Sequence, residues 1–226
     1  MKIRILKKSK DDLNVYREEK GNISYEELEE LLNTYDKVII PYLDWENKDI
    51  YSLPENFGNL EVGGNLNLDK NKLASLPESF GNLKVGGNLD LDENNLTSLP
   101  ESFGNLKVGG SLYLSFNKLT SLPESFGNLE VEGGLYLRYN QLTSLPESFG
   151  NLKVGESLYL DTNKLTSLPE NFDNLKVGDG LWLQRNPWII DANFVNFCEK
   201  YKGVLVLGKK LKKEINRFIK LEEWEE

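Results

Sequence analysis

Tyr113, Tyr136, Tyr159 and Trp182 stand at equal steps along the chain (113 to 136 is 23 positions), and Asp44, Asn67 and Asp90 occupy the three steps before them. Two residues further on, the series reads Glu46, Asp69, Asp92, Ser115, Arg138, Asp161 and Gln184. The next residues along are Asn47, Lys70, Glu93, Phe116, Tyr139, Thr162 and Arg185. If successive steps are neighbouring strands about 4.8 Å apart, the four rings form one ladder, with an acidic patch beyond its N-terminal end. Tyr, Trp and Arg are the residue types that anchor binding interfaces. The chemistry on offer is therefore recognition. Its candidate residues are Tyr113, Phe116, Tyr136, Arg138, Tyr139, Tyr159, Asp161, Trp182, Gln184 and Arg185, with Asp90 and Asp92. Two readings of the ladder stand side by side: a docking face, or rings that only stabilise their cross-strand neighbours.

Covalent chemistry has little to work with. The chain has no histidine, which removes Ser-His and Cys-His nucleophiles and every His-based metal site. Cys198 lies in FVNFCEK, whose apolar spacing reads as a packed thiol. GVLVLGKK, 203–210, comes close to a phosphate-binding loop, but it lacks the closing Ser or Thr and its middle is apolar and strand-like. Acid–base work by carboxylates needs a shielded pair with split pKa values, which an open sheet does not supply. Glu46, Asp69 and Asp92 could hold a cation between steps; solvated acids near Lys70 are the simpler reading. No enzymatic activity, cofactor or metal is expected.

The elements that position these residues follow from one repeated phrase. Residues 98–120 read SLPESFGNLKVGGSLYLSFNKLT, and Ser75, Ser98, Ser121 and Ser144 each open the same SLPESFGNL, with variants at Ser52 and Ser167. Each repeat carries a short L-x-L, Leu66/Leu68 through Leu181/Leu183, whose alternation puts both leucines on one face of a strand. Three residues after the second leucine comes Asn71, Asn94, Asn117, Asn140, Asn163 or Asn186. An amide turned inward there can bond backbone groups of its own and the adjacent repeat. A unit of this size cannot cover its own apolar face, so repeats must stack to fold.

The ends depart from the phrase. Residues 1–36 read as a cap: a short strand through Ile3 and Ile5, then a helix begun by Ser24 and Glu27 at capping-box spacing, with Leu28, Leu31, Leu32 and Tyr35 on one stripe. Lys2, Arg4, Lys7, Lys8 and Lys10 suit a solvated edge strand. Residues 37–190 hold a degenerate first repeat and six regular ones. Ile39, Leu43, Trp45, Ile50 and Leu53 fall one period before Val62, Leu66, Leu68, Leu73 and Leu76. Residues 191–226 read as a second cap: a helix over Asp191–Tyr201, an eighth strand with Val204 and Val206 one period after Leu181 and Leu183, and a final helix marked by Leu211, Ile215, Phe218 and Ile219.

LYLSFNKL, 112–119, resembles the second half of the leucine-rich-repeat signature L-x-x-L-x-L-x-x-N-x-L, and the resemblance runs from about residue 39 to 211. The LPESFGNL half is similar to 23-residue repeats of intracellular bacterial and viral type. The resemblance implies an α/β fold: a right-handed horseshoe solenoid with a concave parallel β-sheet, a mostly extended or 3-10 convex side, and helical N- and C-terminal caps. It also implies a non-enzymatic protein-binding scaffold. One departure concerns the first signature leucine. Val62, Val85, Val108, Val131, Val154 and Val177 lie one position early, followed by Gly63, Gly86, Gly109, Glu132, Gly155 and Gly178.

Charge narrows the partner. The 226 residues carry a formal charge of -9 and a pI of about 4.8, with 39% apolar and 28% charged residues. That balance excludes a sequence-independent nucleic-acid binder, which needs a basic surface. It suits a monomer that meets another protein through a basic patch. Sugar stacking on the ring ladder and self-association are the other two readings. A single Cys points to a reducing compartment, and no apolar run suits a Sec signal or a membrane helix. The expected location is the cytoplasm of the producing cell; a non-Sec export route would leave no mark.

Overall fold

Leu66 and Leu68 point into the molecule while Asn67 points out, and this alternation recurs along the chain to build a stack of rungs. The computed structural model describes residues 2–6, 15–18, 22–201, 203–206 and 212–217. Two-residue strands from Leu43–Asp44 to Leu205–Val206 pair in parallel as an eight-stranded sheet. Each rung then turns through an extended stretch and a 3-10 turn such as Glu101–Asn105. Phe57, Phe80, Phe103, Phe126, Phe149 and Phe172 stack beneath these turns, with centroids 5.9–6.0 Å apart and planes within 6°. Tyr113, Tyr136 and Tyr159, on the eight-stranded sheet, are spaced at only 4.5–4.6 Å. Equivalent atoms of stacked rungs are thus closer on the sheet than on the 3-10 side. The stack bends, and the eight-stranded sheet is its concave, inner face.

The asparagines tie the rungs together. Asn117 Oδ1 accepts from the Leu96 N–H (3.0 Å), and its Nδ2 donates to the carbonyls of Leu91 (2.9 Å) and Leu114 (3.3 Å). Asn94, Asn140, Asn163 and Asn186 repeat these bonds one rung apart. Asn71 serves both Lys48 and Ile50 of the first rung. The residue before each asparagine is forced into the left-handed region: Lys70, Glu93, Phe116, Tyr139, Thr162 and Arg185 have φ between 51° and 61°. For bulky or β-branched residues that conformation costs on the order of 1 kcal/mol, and the buried amide bonds hold it.

A second sheet lies behind the first. Lys37–Ile40, Leu60–Val62 and the Lys-Val or Glu-Val pairs up to Lys176–Val177 are parallel strands, so the off-register valines belong to this sheet and not to the concave one. The glycines after them have no positive φ. Their hydrogens face a carbonyl of the previous rung, and a Cβ at Gly86 or Gly109 would lie 2.3 or 2.5 Å from it. Glu132 takes this site at the cost of a looser rung step. The corresponding N–H···O bond is 2.8 Å at Gly86 and 2.9 Å at Gly109, but 3.2 Å at Glu132 and 3.3 Å at Gly155. Close approach also explains Phe-Gly-Asn: a Cβ at Gly127 would sit 1.9 Å from the Ser148 oxygen. The last copy carries Asp173 instead, and Lys200 and Tyr201, at the end of the helix that follows the last regular rung, bind there.

Three expectations about the ends need correction. Ile40, not Ile39, pairs with Val62 and is buried, because Pro41-Tyr42 is one residue shorter than the Gly63-Gly64-Asn65 turn. At the other end Leu181 pairs with Leu205 and Trp182 with Val206. The helix α2 (Ala192–Lys200), which replaces the extended segment, adds one residue to the rung, and a one-residue slip exchanges the faces. The strand Lys2–Leu6 is not an edge, since it lies between Lys37–Ile40 and the antiparallel Val15–Glu18, a strand too short to show in the sequence.

The Phe column is closed at one end by Trp45 against Phe57, and at the other by Phe197 edge-on to Phe172. Ser24 caps α1 (Tyr25–Thr34), accepting from the Glu27 N–H, and Leu28, Leu31 and Leu32 are buried. A helical segment over 212–217 buries Ile215. Lys7, Lys8, Lys10, Leu207, Lys209, Lys210, Leu211, Phe218 and Ile219 lie outside the described residues.

Replacing Asn117→Ala strands the Leu96 N–H in the core and leaves the Leu91 carbonyl with the Asn94 amide as its remaining side-chain donor. Urea unfolding should show a loss of about 1–3 kcal/mol, whereas the exposed neighbour Lys118→Ala should leave the midpoint in place. Equal midpoints for the two variants would remove the asparagine ladder as the tie between rungs.

Candidate functional site

The four rings on the inner face form one stack. Centroids are 4.5 Å apart for Tyr113 and Tyr136, 4.6 Å for Tyr136 and Tyr159, and 5.3 Å for Tyr159 and Trp182, with planes 11–22° apart. Each is half-buried. The residues two before them are small (Ser111, Gly134, Ser157 and Gly180), and the rings lie back over them: a Cβ on Gly134 would meet the Tyr136 ring at 2.9 Å. A second, shorter stack runs beside the first, with Phe116 and Tyr139 at 4.4 Å and 10°. At these spacings each inner ring covers its neighbour's face, so edges and hydroxyls are what the ladder shows outward. Burial, then the neighbouring phenols Tyr113 and Tyr159, pushes the Tyr136 hydroxyl above its ordinary pKa and keeps it a donor.

Between the two stacks runs a polar row. Arg138 Nη2 donates to Asp161 Oδ2 at 3.2 Å, and its guanidinium lies 5.4 Å from the centre of the Tyr139 ring and 5.9 Å from that of Tyr159. Asp161 is only 1% exposed, a correction to its place among the contact residues. Packed under its neighbours, it cannot reach a partner; with the Thr162 hydroxyl on the same oxygen, it positions Arg138. Gln184 is half-buried, and Arg185 Nη1 donates to the Tyr139 hydroxyl at 3.4 Å.

The acidic end is built differently. Asp44, Asn67 and Asp90 each accept from the backbone N–H two residues on, at Glu46, Asp69 and Asp92, the short-range bond that Asp and Asn make readily. Where the column changes to Tyr113 that acceptor is lost, and Asp92 Oδ1 from the previous rung takes the Ser115 N–H instead. Lys70 pairs with Glu46 and Asp69 at 2.9 and 2.8 Å. Burial first and Asp90 second push the Asp92 carboxyl up to about 7; burial also raises Asp90. No group of acids, His or Cys that could hold a metal ion occurs among the described residues.

The Cys198 thiol is buried and its pKa pushed up to about 12 by that burial, so it stays protonated as a packing group. Of the near-phosphate-loop, Leu205–Val206 is a strand, and its lysines lie outside the described residues. Inspection of the sequence alone missed Ser115, which is 1% exposed with a hydroxyl that has no hydrogen-bond partner among the described residues. Its only signal was a small residue in a column of long polar ones. Residues 88–106, 111–129 and 134–152 match the family model described as Leucine Rich Repeat. A comparison with curated proteins finds no match.

An acid that holds its proton to about pH 7 when folded, but ionises near pH 4 when unfolded, stabilises the fold below that interval and loses its contribution as pH rises through it. The urea midpoint should therefore fall between about pH 5 and about pH 8, and Asp92→Asn should flatten that fall. The same slope in both proteins would clear Asp92 as its cause.

Proposed function

The chain is a leucine-rich-repeat protein, and on that premise we propose that it is a non-enzymatic scaffold that binds another protein through the inner face. Leucine-rich repeats generally serve as protein-interaction scaffolds. The observation that carries the finer reading is the half-buried ladder of Tyr113, Tyr136, Tyr159 and Trp182 beside Arg138 and Arg185. Rings already held by stacking lose little freedom on binding, and tyrosine, tryptophan and arginine bring large contact area with directed donors. The same stacking weakens the case for a glycan. A sugar needs an open ring face, and Tyr136 and Tyr159 each have both faces covered.

In this reading the protein acts as a monomer in the cytoplasm of the producing cell, on a partner whose surface includes a basic patch. No helix among the described residues is long and apolar enough to cross a membrane. Changing Tyr136, Tyr159 and Trp182 together to Ala should weaken capture of the native partner from host extract by at least about 100-fold, with the circular-dichroism spectrum unchanged. Undiminished capture would remove the ladder as the docking face. Light scattering that shows a mass rising with concentration would favour self-association instead.

A further inference from the structure

Both ring stacks begin at the same rung. Tyr113 has Tyr136 on one side, but its strand partner on the other is Asp90. Phe116 has Tyr139 on one side, and one period before it stands Glu93. Two ring faces are therefore free of a neighbouring ring at one step of the stack, and Phe116 is 49% exposed there. On the other side of that step are three carboxylates: Asp90, Asp92 and Glu93. Among the described residues no cation pairs with any of them, and Lys70, one period before Glu93, is committed to Glu46 and Asp69. Asp92 uses one oxygen for the Ser115 N–H. The Ser115 hydroxyl, almost wholly buried in the same row, has no hydrogen-bond partner among the described residues.

From this juxtaposition we infer that the step between Asp90–Glu93 and Tyr113–Phe116 is the seat for an arginine side chain of the protein partner. A guanidinium is planar and weakly hydrated: it can lie on an open ring face while its N–H fork reaches neighbouring carboxylates. A lysine ammonium offers neither the plane nor the fork. The half-buried acids make the seat selective, since carboxylates already partly stripped of water gain most from a cation that replaces it. The seat adjoins the ring ladder, so the inference rests on the inner-face reading and adds the chemistry at one end of it. Binding the cation requires Asp92 to ionise against Asp90, Asp69 and Glu93, while Asp90 also feels Glu46 and the opposing charge of Lys70. Affinity for the cation therefore rises with pH.

The test is a nuclear magnetic resonance titration of the full chain with a blocked Gly-Arg-Gly peptide, alongside the citrulline and lysine counterparts. The arginine peptide should shift the amides of Asp92, Ser115 and Phe116 saturably, and bind about tenfold tighter at pH 8 than at pH 6. The citrulline peptide should not bind, and the lysine peptide should bind more weakly. Asp90→Asn with Asp92→Asn should lower the arginine affinity at least about tenfold. Both variants keep the side-chain oxygen that caps a backbone N–H, and Asn67 already fills the first column natively. Shifts spread over the whole acidic surface, a response unchanged in the double variant, or equal binding of the lysine peptide would each overturn the seat. The Tyr136, Tyr159 and Trp182 triple variant should bind the peptide normally. Loss of the seat and loss of the docking ladder are therefore separate results.

Discussion

Asn71, Asn94, Asn117, Asn140, Asn163 and Asn186 are what the other features rest on. Each amide, the first five buried and Asn186 half-buried, bonds the backbone of its own rung and of the rung before it. A turn that narrow leaves backbone groups inside the core, and an unpaired one there costs on the order of 1–3 kcal/mol. The ladder removes that cost at each of its five buried asparagines. It also holds bulky residues such as Phe116 and Tyr139 in a left-handed conformation they would otherwise avoid. Those residues are thereby fixed at the rim of the inner face.

Regular stacking has two consequences for that face. Identical residues meet one another, so rings stack on rings and the column becomes rigid without help from a partner. The same contact closes the ring faces and leaves like charges adjacent. Binding capacity then concentrates where the residue type changes. The passage from Asp90 to Tyr113, and from Glu93 to Phe116, is such a break: one rung is left with unpaired acids and the next with open rings. Arg138 shows the opposite case, a charge whose needs are largely met within the stack by Asp161 and two rings.

Regular spacing was legible wherever the turns were of regular length. The inner strands, the asparagines and the aligned rings follow from counting. Counting failed at Ile39 and Val204, because a Pro-Tyr turn is one residue shorter than Gly-Gly-Asn and the helix α2 makes its rung one residue longer. The valine sheet went unread although Leu106-Lys107-Val108 alternates, because its pattern breaks at once into the glycines before the inner strand. Gly86, Gly109, Gly155 and Gly178 beside it answer to a carbonyl from the rung before.

For the inner face, the division has a physical basis. Which residues share a column is a property of the period, and the chain alone determined it: Tyr113 through Trp182 had to align once the rungs stacked. How deeply each member of a column lies depends on side chains from adjacent rungs and on the bend of the stack. Only the tertiary structure decided that Asp161 is covered while Arg138 reaches the surface. The burial of Asp92 enough to hold a proton near neutral pH, and of Ser115 with its hydroxyl unused, arises in the same way. Burial is a sum over neighbours brought from other rungs, and no spacing within the chain contains it.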